Sequence, residues 1–255
     1  MAAFPLMLPG TSRPPKLVVF DLDHTLIACD ATILWTEFLY EKKIVTDPIW
    51  RQYDRDMVKS YAKGVLDIRD FCRKHAGAFR CIPEEKLHAL AQEFAKKKIA
   101  PLIFPDGKKW AKNALQANIP ACVLSASAAF IVKPIAKLFG LTDAMGIELA
   151  FKDGFCTGEI VGIPTFQEGK VERLSQRLAE AGIGFEDVLF FTDSRNDLPL
   201  AERAGYTVCV NPDAVLESAA RKNGWKVAEW KLSLRTQMTA QVDAKGVPET
   251  QTVRS

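Results

Sequence analysis

The chain has 255 residues, enough for one sizeable hydrophobic core plus a smaller insert. Hydrophobic residues make up 48% and charged residues 25%, and the net charge of +3 is too small and too dispersed to serve a nucleic acid. Six cysteines (Cys29, Cys72, Cys81, Cys122, Cys156, Cys209) form no C-x-x-C pair and no zinc-like spacing with the three histidines, so free thiols in a reducing cytoplasm are expected. The start, MAAFPLMLPG, lacks a basic n-region, and no apolar run approaches transmembrane length, so a soluble cytoplasmic protein without membrane contact is expected.

The first element is the apolar run LVVF, residues 17–20, which reads as a buried parallel strand. Residues 30 to 100 carry helical spacing (Ile33, Leu34, Phe38, Leu39; Tyr53, Met57, Tyr61, Leu66; Leu87, Leu90, Phe94), with breaks at Gly64, Gly77 and Pro83. This pattern predicts a small helical bundle inserted directly after the first strand. A helix over Lys108–Ala117 then leads to a strand at Ala121–Leu124 that ends before Ser125, and a further helix covers Phe130–Phe139. The segment GIELAFKDGFCTGEIVG alternates around Asp153-Gly154, a hairpin signal. A helix over Lys170–Ala181, a strand over Val188–Phe191 ending at Asp193, and a last strand over Tyr206–Val210 complete an α/β pattern with a mostly parallel sheet. Beyond about Leu232 the chain is polar and aperiodic, which predicts a disordered tail.

Asp21 and Asp23 stand one residue apart at the exit of a buried strand, where ligands of open parallel sheets bind. Such a pair repels itself unless a positive group, most simply a divalent metal, lies between. Ser125 and Asp193 end other strands, and Lys170 opens a helix after Gly169. If the strands are parallel, all meet at one sheet edge and form a chemically sensible phosphate and Mg²⁺ site. Each has a plainer reading. An aspartate at a strand end is more often a helix cap, Ser125 alone could be an N-cap, an exposed helix lysine is the default, and Asn196 or Asp197 could cap a helix at Leu198-Pro199. Gly162 to Lys170 is not a phosphate-binding G-x₄-G-K-[ST] loop, because residue 171 is valine. His24 reads as structural or substrate-lining, and His75 and His88 as surface or packing residues.

Taken together, D-x-D-x-T at 21–25, Ser125 after an apolar strand, Lys170, and D-S-x-N-D at 193–197 resemble the four ordered motifs of the haloacid dehalogenase superfamily. The helical insert resembles that of its phosphoserine-phosphatase-like branch, subfamily IB. FTDSRNDLPL, VNPD and Trp225 are similar to a bacterial subgroup described as histidinol-phosphatase-like. The resemblance spans roughly residues 16 to 231. It implies a Rossmann-like, doubly wound core over 16–28 and 106–232 and a helical-bundle cap over 29–105, between a flexible N-terminus at 1–15 and the disordered tail at 233–255.

The resemblance also implies roles in a Mg²⁺-dependent phosphatase. Asp21 would form an aspartyl-phosphate and Asp23 would be the general acid and base. The Asp21 and Asp193 carboxylates and the Asp23 carbonyl would hold Mg²⁺. Ser125, Ala126, Lys170 and Asn196 would bind the phosphoryl oxygens, Thr25 would orient the nucleophile loop, and Asp197 would position Lys170 or a metal-bound water. The second aspartate favours phosphoester cleavage over dehalogenation. A mutase or phosphotransferase on the same core, and a non-catalytic phosphate-binding regulator, are the alternatives. The implied partner is a small phosphorylated metabolite of the histidinol phosphate or phosphoserine kind. Asp30, nine residues after Asp21, lies where phosphoserine phosphatases place a glutamate for the substrate amine. Arg51, Arg55, Arg69 and Arg73 are candidates for a substrate carboxylate, with surface solvation as the default for each.

Overall fold

The computed structural model describes residues 14–233. The expected disorder of the tail, and most of the expected N-terminal flexibility, therefore falls outside the described residues. After β1 (Leu17–Phe20) come α1 (Ala31–Glu41), α2 (Ile49–Lys63), α3 (Ile68–His75) and α4 (Glu84–Phe94), all before the second strand. Then follow α5 (Pro105–Gln116), β2 (Ala121–Ala128), α6 (Ala129–Ala136), β3 (Asp143–Ile147), and the antiparallel hairpin of β4 (Leu149–Lys152) and β5 (Phe155–Ile160). The chain continues through α7 (Glu168–Ala181), β6 (Val188–Thr192), α8 (Leu198–Ala201), β7 (Tyr206–Val210), α9 (Ala214–Asn223) and β8 (Lys226–Ala228).

The main sheet has six parallel strands in the order β3-β2-β1-β6-β7-β8. The chain winds outward from β1 to β3 and returns to place β6 against the other edge of β1, which makes β1/β6 the switch point of a doubly wound, Rossmann-like α/β fold. Side chains of β1 alternate between two cores. Val18 and Phe20 join one cluster, while Leu17 and Val19 join another with Leu174 and Leu178 of α7. Burial on both faces is why LVVF is continuously apolar rather than alternating.

The helical insert is not uniformly detached from this core. Trp35 and Phe38 of α1 and Phe94 of α4 belong to the same cluster as Phe20 and Phe191 of the sheet. Trp35 meets Phe94 and Phe130 edge-on, with centroids 5.4 and 5.6 Å apart. By contrast, α2 buries only Asp54 and Met57.

Several expectations need correction. The strand placed at 121–124 runs on to Ala128, so Ser125 lies within it, and Tyr206–Val210 is followed by a further strand, β8. The strand at Asp143–Ile147 also lacked a sequence reading. The helix expected at Phe130–Phe139 starts at Ala129 and tightens over Lys137–Phe139 after Pro134. The Asp153-Gly154 hairpin forms with φ of 52° and 79°, the two left-handed positions a two-residue turn requires.

Candidate active site

Asp21 leaves β1 with its amide still bonded to the Phe191 carbonyl of β6 at 2.9 Å, so its side chain emerges at the switch point. The chain then folds back tightly. The amides of Leu26 and Ile27 donate to Leu22 O at 2.9 and 3.2 Å, and His24 adopts a φ of 55°. This loop swings the Asp23 carboxylate under the first turn of α1, where Ala31 N donates to Oδ1 at 2.6 Å and the Ser127 hydroxyl donates to Oδ2 at 2.8 Å. Burial, reinforced by the charge of Asp30, pushes Asp23 up to about 6, so it can carry a proton near neutrality.

Lys170 is 1% exposed, an expensive position for an ammonium unless it is paired. Its Nζ lies 2.7 Å from Asp21 Oδ1 and 2.8 Å from Asp197 Oδ2, and Thr192 adds a hydroxyl bond of 2.7 Å to Asp197. Burial works to lower Lys170, but Asp197 and Asp21 outweigh it and hold the lysine charged. Thr25 donates to Asp193 Oδ1 at 3.1 Å. Burial first, then the charges of Asp21 and Asp197, raises Asp193 well above the usual carboxylate range. Burial also raises Asp21 and carries Asp197 to about 6.

One lysine charge does not balance Asp21, Asp193 and Asp197, so the site's electrostatics fit a further cation. Among the described residues, no three His, Cys, Asp or Glu side chains converge closely enough to hold a metal alone. A Mg²⁺ ion, which keeps several waters and takes only one or two carboxylates, fits the donor set of Asp21, Asp193 and a backbone carbonyl.

Asp21, Asp23 and Asp193 open into a cavity of about 190 Å³. Its walls are mainly apolar, from Ile33, Met57, Val58, Leu66, Ile68 and Phe71, and its polar lining includes Asp30, Thr32, Ser127 and His24.

A family model for haloacid dehalogenase-like hydrolases matches residues 18–202. The chain belongs to that family. Histidinol-phosphatase of Neisseria meningitidis is 35% identical to this hydrolase over 220 residues, covering 85% of this chain and 99% of that protein. A phosphoserine phosphatase of Mycobacterium tuberculosis is 26% identical over 239 residues, covering 90% of this chain and 77% of that one. Among solved structures, a Bordetella pertussis protein of unknown function matches with a TM-score of 0.75 at 32% identity, over 83% of this chain and 96% of that chain.

Within this hydrolase the structure brings together Asp21, Asp23, Thr25, Ser125, Lys170, Asp193 and Asp197. Asp197 does not cap α8 with its side chain, which is spent on Lys170 and Thr192. The Ser125 hydroxyl lies 3.4 Å from Asp23 Oδ2 and accepts from Ser127 N at 3.1 Å, and Ala126 lines the cavity. Asn196 is differently engaged from the expected phosphate contact, because its amide donates to Tyr61 O at 3.0 Å and to the Ser194 hydroxyl at 3.3 Å. Asp30 does two things at once: it caps α1 through Ile33 N at 3.0 Å and faces the cavity. Arg51, Arg55, Arg69 and Arg73 are absent from the cavity lining. Arg51 pairs with Glu37 at 2.7 Å and lies over the Tyr40 ring, Arg55 donates to Gln52, and Arg73 lies 3.9 Å from Glu159.

Sequence reasoning missed Ser127 and Tyr61, both of which line the cavity. Ser127 lies at the same i+2 spacing from Ser125 as two hydroxyls facing one way along a strand, a signal that was available. Tyr61 comes from α2 yet lines the cavity. Burial, then the charges of Asp197, Asp21 and Asp193, pushes its phenol well up.

Proposed function

We propose that this hydrolase cleaves a small phosphomonoester metabolite through an aspartyl-phosphate on Asp21, with Mg²⁺ bound. It is a phosphoric monoester hydrolase. The observation that carries the mechanism is the buried Lys170 bridging Asp21 and Asp197 directly beneath the cavity into which Asp21 opens. The Asp21 oxygen attacks phosphorus as the bond to the leaving oxygen breaks, and Asp23 delivers its proton to that oxygen. Asp23 then takes a proton from the water that attacks the same phosphorus, which releases phosphate and regenerates Asp21. Ser125, the Ala126 amide and Lys170 serve the phosphoryl oxygens. Asp21, Asp193 and the Asp23 carbonyl would hold Mg²⁺, which supplies positive charge to the transferring phosphoryl group. We treat 16–28 and 106–232 as the catalytic core and 29–105 as the specificity cap.

The cavity favours one of the two substrate types. Phosphoserine carries a carboxylate, and no arginine is among the lining side chains to receive it. Histidinol phosphate carries a cationic amine and a planar ring without a carboxylate. Asp30 suits the amine, and Phe71, Met57 and Leu66 suit the ring. All six cysteines are free, which supports a cytoplasmic setting, and no described helix is long and apolar enough to cross a membrane. A hydrolysis panel with and without EDTA, spanning histidinol phosphate, phosphoserine, sugar phosphates and nucleotides, tests the proposal. Chelator-sensitive turnover of histidinol phosphate well above phosphoserine is expected, and faster phosphoserine hydrolysis would overturn the substrate assignment.

A further inference from the structure

Helix α2 roofs the cavity, anchored by Trp50 against the core and by Tyr61 beside the Phe166 ring, with centroids 5.8 Å apart. Its C-terminal end, where Tyr61 O already accepts from Gly64 N at 2.9 Å, is met by two side-chain amides from elsewhere in the chain. Asn196 Nδ2 donates to Tyr61 O at 3.0 Å. Gln167 Nε2 donates to Gly64 O at 3.3 Å and to Asn196 Oδ1 at 3.1 Å, so both of its hydrogens are used. The negative end of the α2 dipole approaches a carboxylate cluster, and the charges of Asp197, Asp21 and Asp193 all act on Tyr61 in its last turn.

Gln167 keeps this position against its own backbone. Its φ of 49° and ψ of −123° are strained for a residue with a Cβ, and its side chain makes no capping bond to α7. Its carbonyl accepts from Lys170 N at 3.0 Å. The first turn of α7 has no slack, because a Cβ on Gly169 would lie 1.9 Å from Pro164 O. One residue further, Lys170 sets its ammonium between Asp21 and Asp197.

We propose that Gln167 is a positioning residue that couples the closed position of α2 to the placement of Lys170 against Asp21. When α2 withdraws, Gln167 loses Gly64 O and Asn196 loses Tyr61 O. The turn is then no longer held from α2, and Lys170 shifts with it. Charge neutralisation at Asp21 is then complete only when the cavity is closed. The inference rests on the phosphatase reading above.

Two variants test it. Q167M preserves side-chain length and removes both hydrogens without adding charge. Q167G removes them too, but accepts the positive φ without strain, which guards against misfolding. With p-nitrophenyl phosphate and Mg²⁺, both variants should lose about tenfold in kcat with KM nearly unchanged. In the resting enzyme without substrate, amides 60–66 should exchange faster than in the wild type. A kcat within threefold of wild type, a loss expressed in KM alone, or unchanged exchange at 60–66 overturns the coupling. Absence of turnover by the wild type would instead defeat the phosphatase reading, and the exchange measurement would still report on the α2 contact.

Discussion

The sheet edge that floors the cavity and the α2–α3 wall that covers it are held in opposite ways. On the floor, the aspartates leave strand ends, Lys170 leaves the first turn of α7, and each is locked by bonds to a charged group: Lys170 to Asp21 and Asp197, Thr25 to Asp193, Ser127 to Asp23. The α2–α3 wall presents apolar side chains from a helix that buries two residues, and it is held by Trp50 against the core, the Tyr61–Phe166 ring contact and two amide contacts. Phosphoryl transfer depends on the placement of charge to fractions of an ångström. Selection among substrates needs shape and one or two polar groups, which such a wall can supply. Mutations on the floor should therefore cost rate for every phosphomonoester, whereas mutations in the wall should discriminate between them.

The largest effect is expected from Asp21→Asn, which preserves shape and abolishes nucleophilicity. Turnover should fall by about ten-thousandfold or more for all substrates, and the melting temperature should hold or rise because a buried charge is removed. A residual rate within tenfold in steady-state assays would remove Asp21 from the chemistry. Next, Lys170→Met should cost about a hundredfold to ten-thousandfold in kcat. It should also cost about 3–5 kcal/mol of stability, since it strands Asp21 and Asp197 as unpaired buried charges. That deficit has a defined pH dependence. Both acids have folded pKa values above their unfolded ones, so as pH falls the folded form takes up protons before the unfolded chain does. Lys170 itself holds both acids down, so without it they take up protons at a higher pH than in the wild type. The deficit should be smallest below about pH 6 and grow as pH rises above it, and urea titrations across that range measure it. A pH-independent deficit would contradict the charge account.

Asp30→Asn probes the cavity wall. It retains a cap for α1 but loses the charge offered to an amine, so kcat/KM for histidinol phosphate should fall about tenfold to a hundredfold more than for p-nitrophenyl phosphate. Equal losses would place Asp30 with the floor. The smallest effect concerns Asp54 of α2 and His75 of α3, buried 3.6 Å apart. Burial pushes Asp54 up to about 7 and His75 down to about 4. Between pH 4 and 6.5 the folded pair holds its one proton on the carboxyl and the unfolded pair holds it on the imidazole, so their pH dependences cancel. His75→Gln should expose the Asp54 slope, with stability falling as pH rises from 4 to 7. Asp54→Asn should expose the opposite slope, with stability falling as pH drops from 6.5 to 4, each on the order of 3–4 kcal/mol. Parallel slopes in thermal melts of the two variants would contradict this pairing.

What the sequence disclosed follows the same division. LVVF-D-L-D carries both its strand and its chemistry locally, because burial on two faces demands continuous apolarity and the carboxylates follow at once. Asp153-Gly154 and the helix breaks at Gly64 and Pro83 were legible for the same local reason. The edge strands β3 and β8 were not. KVA is largely exposed, and DAMGI, though its last three residues are buried, starts on an aspartate and carries small residues, so both lack the apolar pattern of a central strand. β2 runs past Leu124 through residues of weak strand preference because pairing with β3 resumes at Ala128. The arginines could not be sorted by sequence, since facing the cavity or Glu37 is a property of helix orientation. Nor could Gln167 be singled out, because its importance arises from Gly64 and Asn196, far away in the chain.

The most direct test of the account is to quench the enzyme with acid during turnover of p-nitrophenyl phosphate with Mg²⁺, reduce with borohydride and sequence the peptides by mass spectrometry. An aspartyl-phosphate at position 21 is an acyl phosphate and should be reduced to homoserine at that residue. Homoserine at Asp21, absent from an unreacted control, is the predicted result. Homoserine at Asp23, Asp193 or Asp197 instead, or at no aspartate despite active turnover, would contradict it.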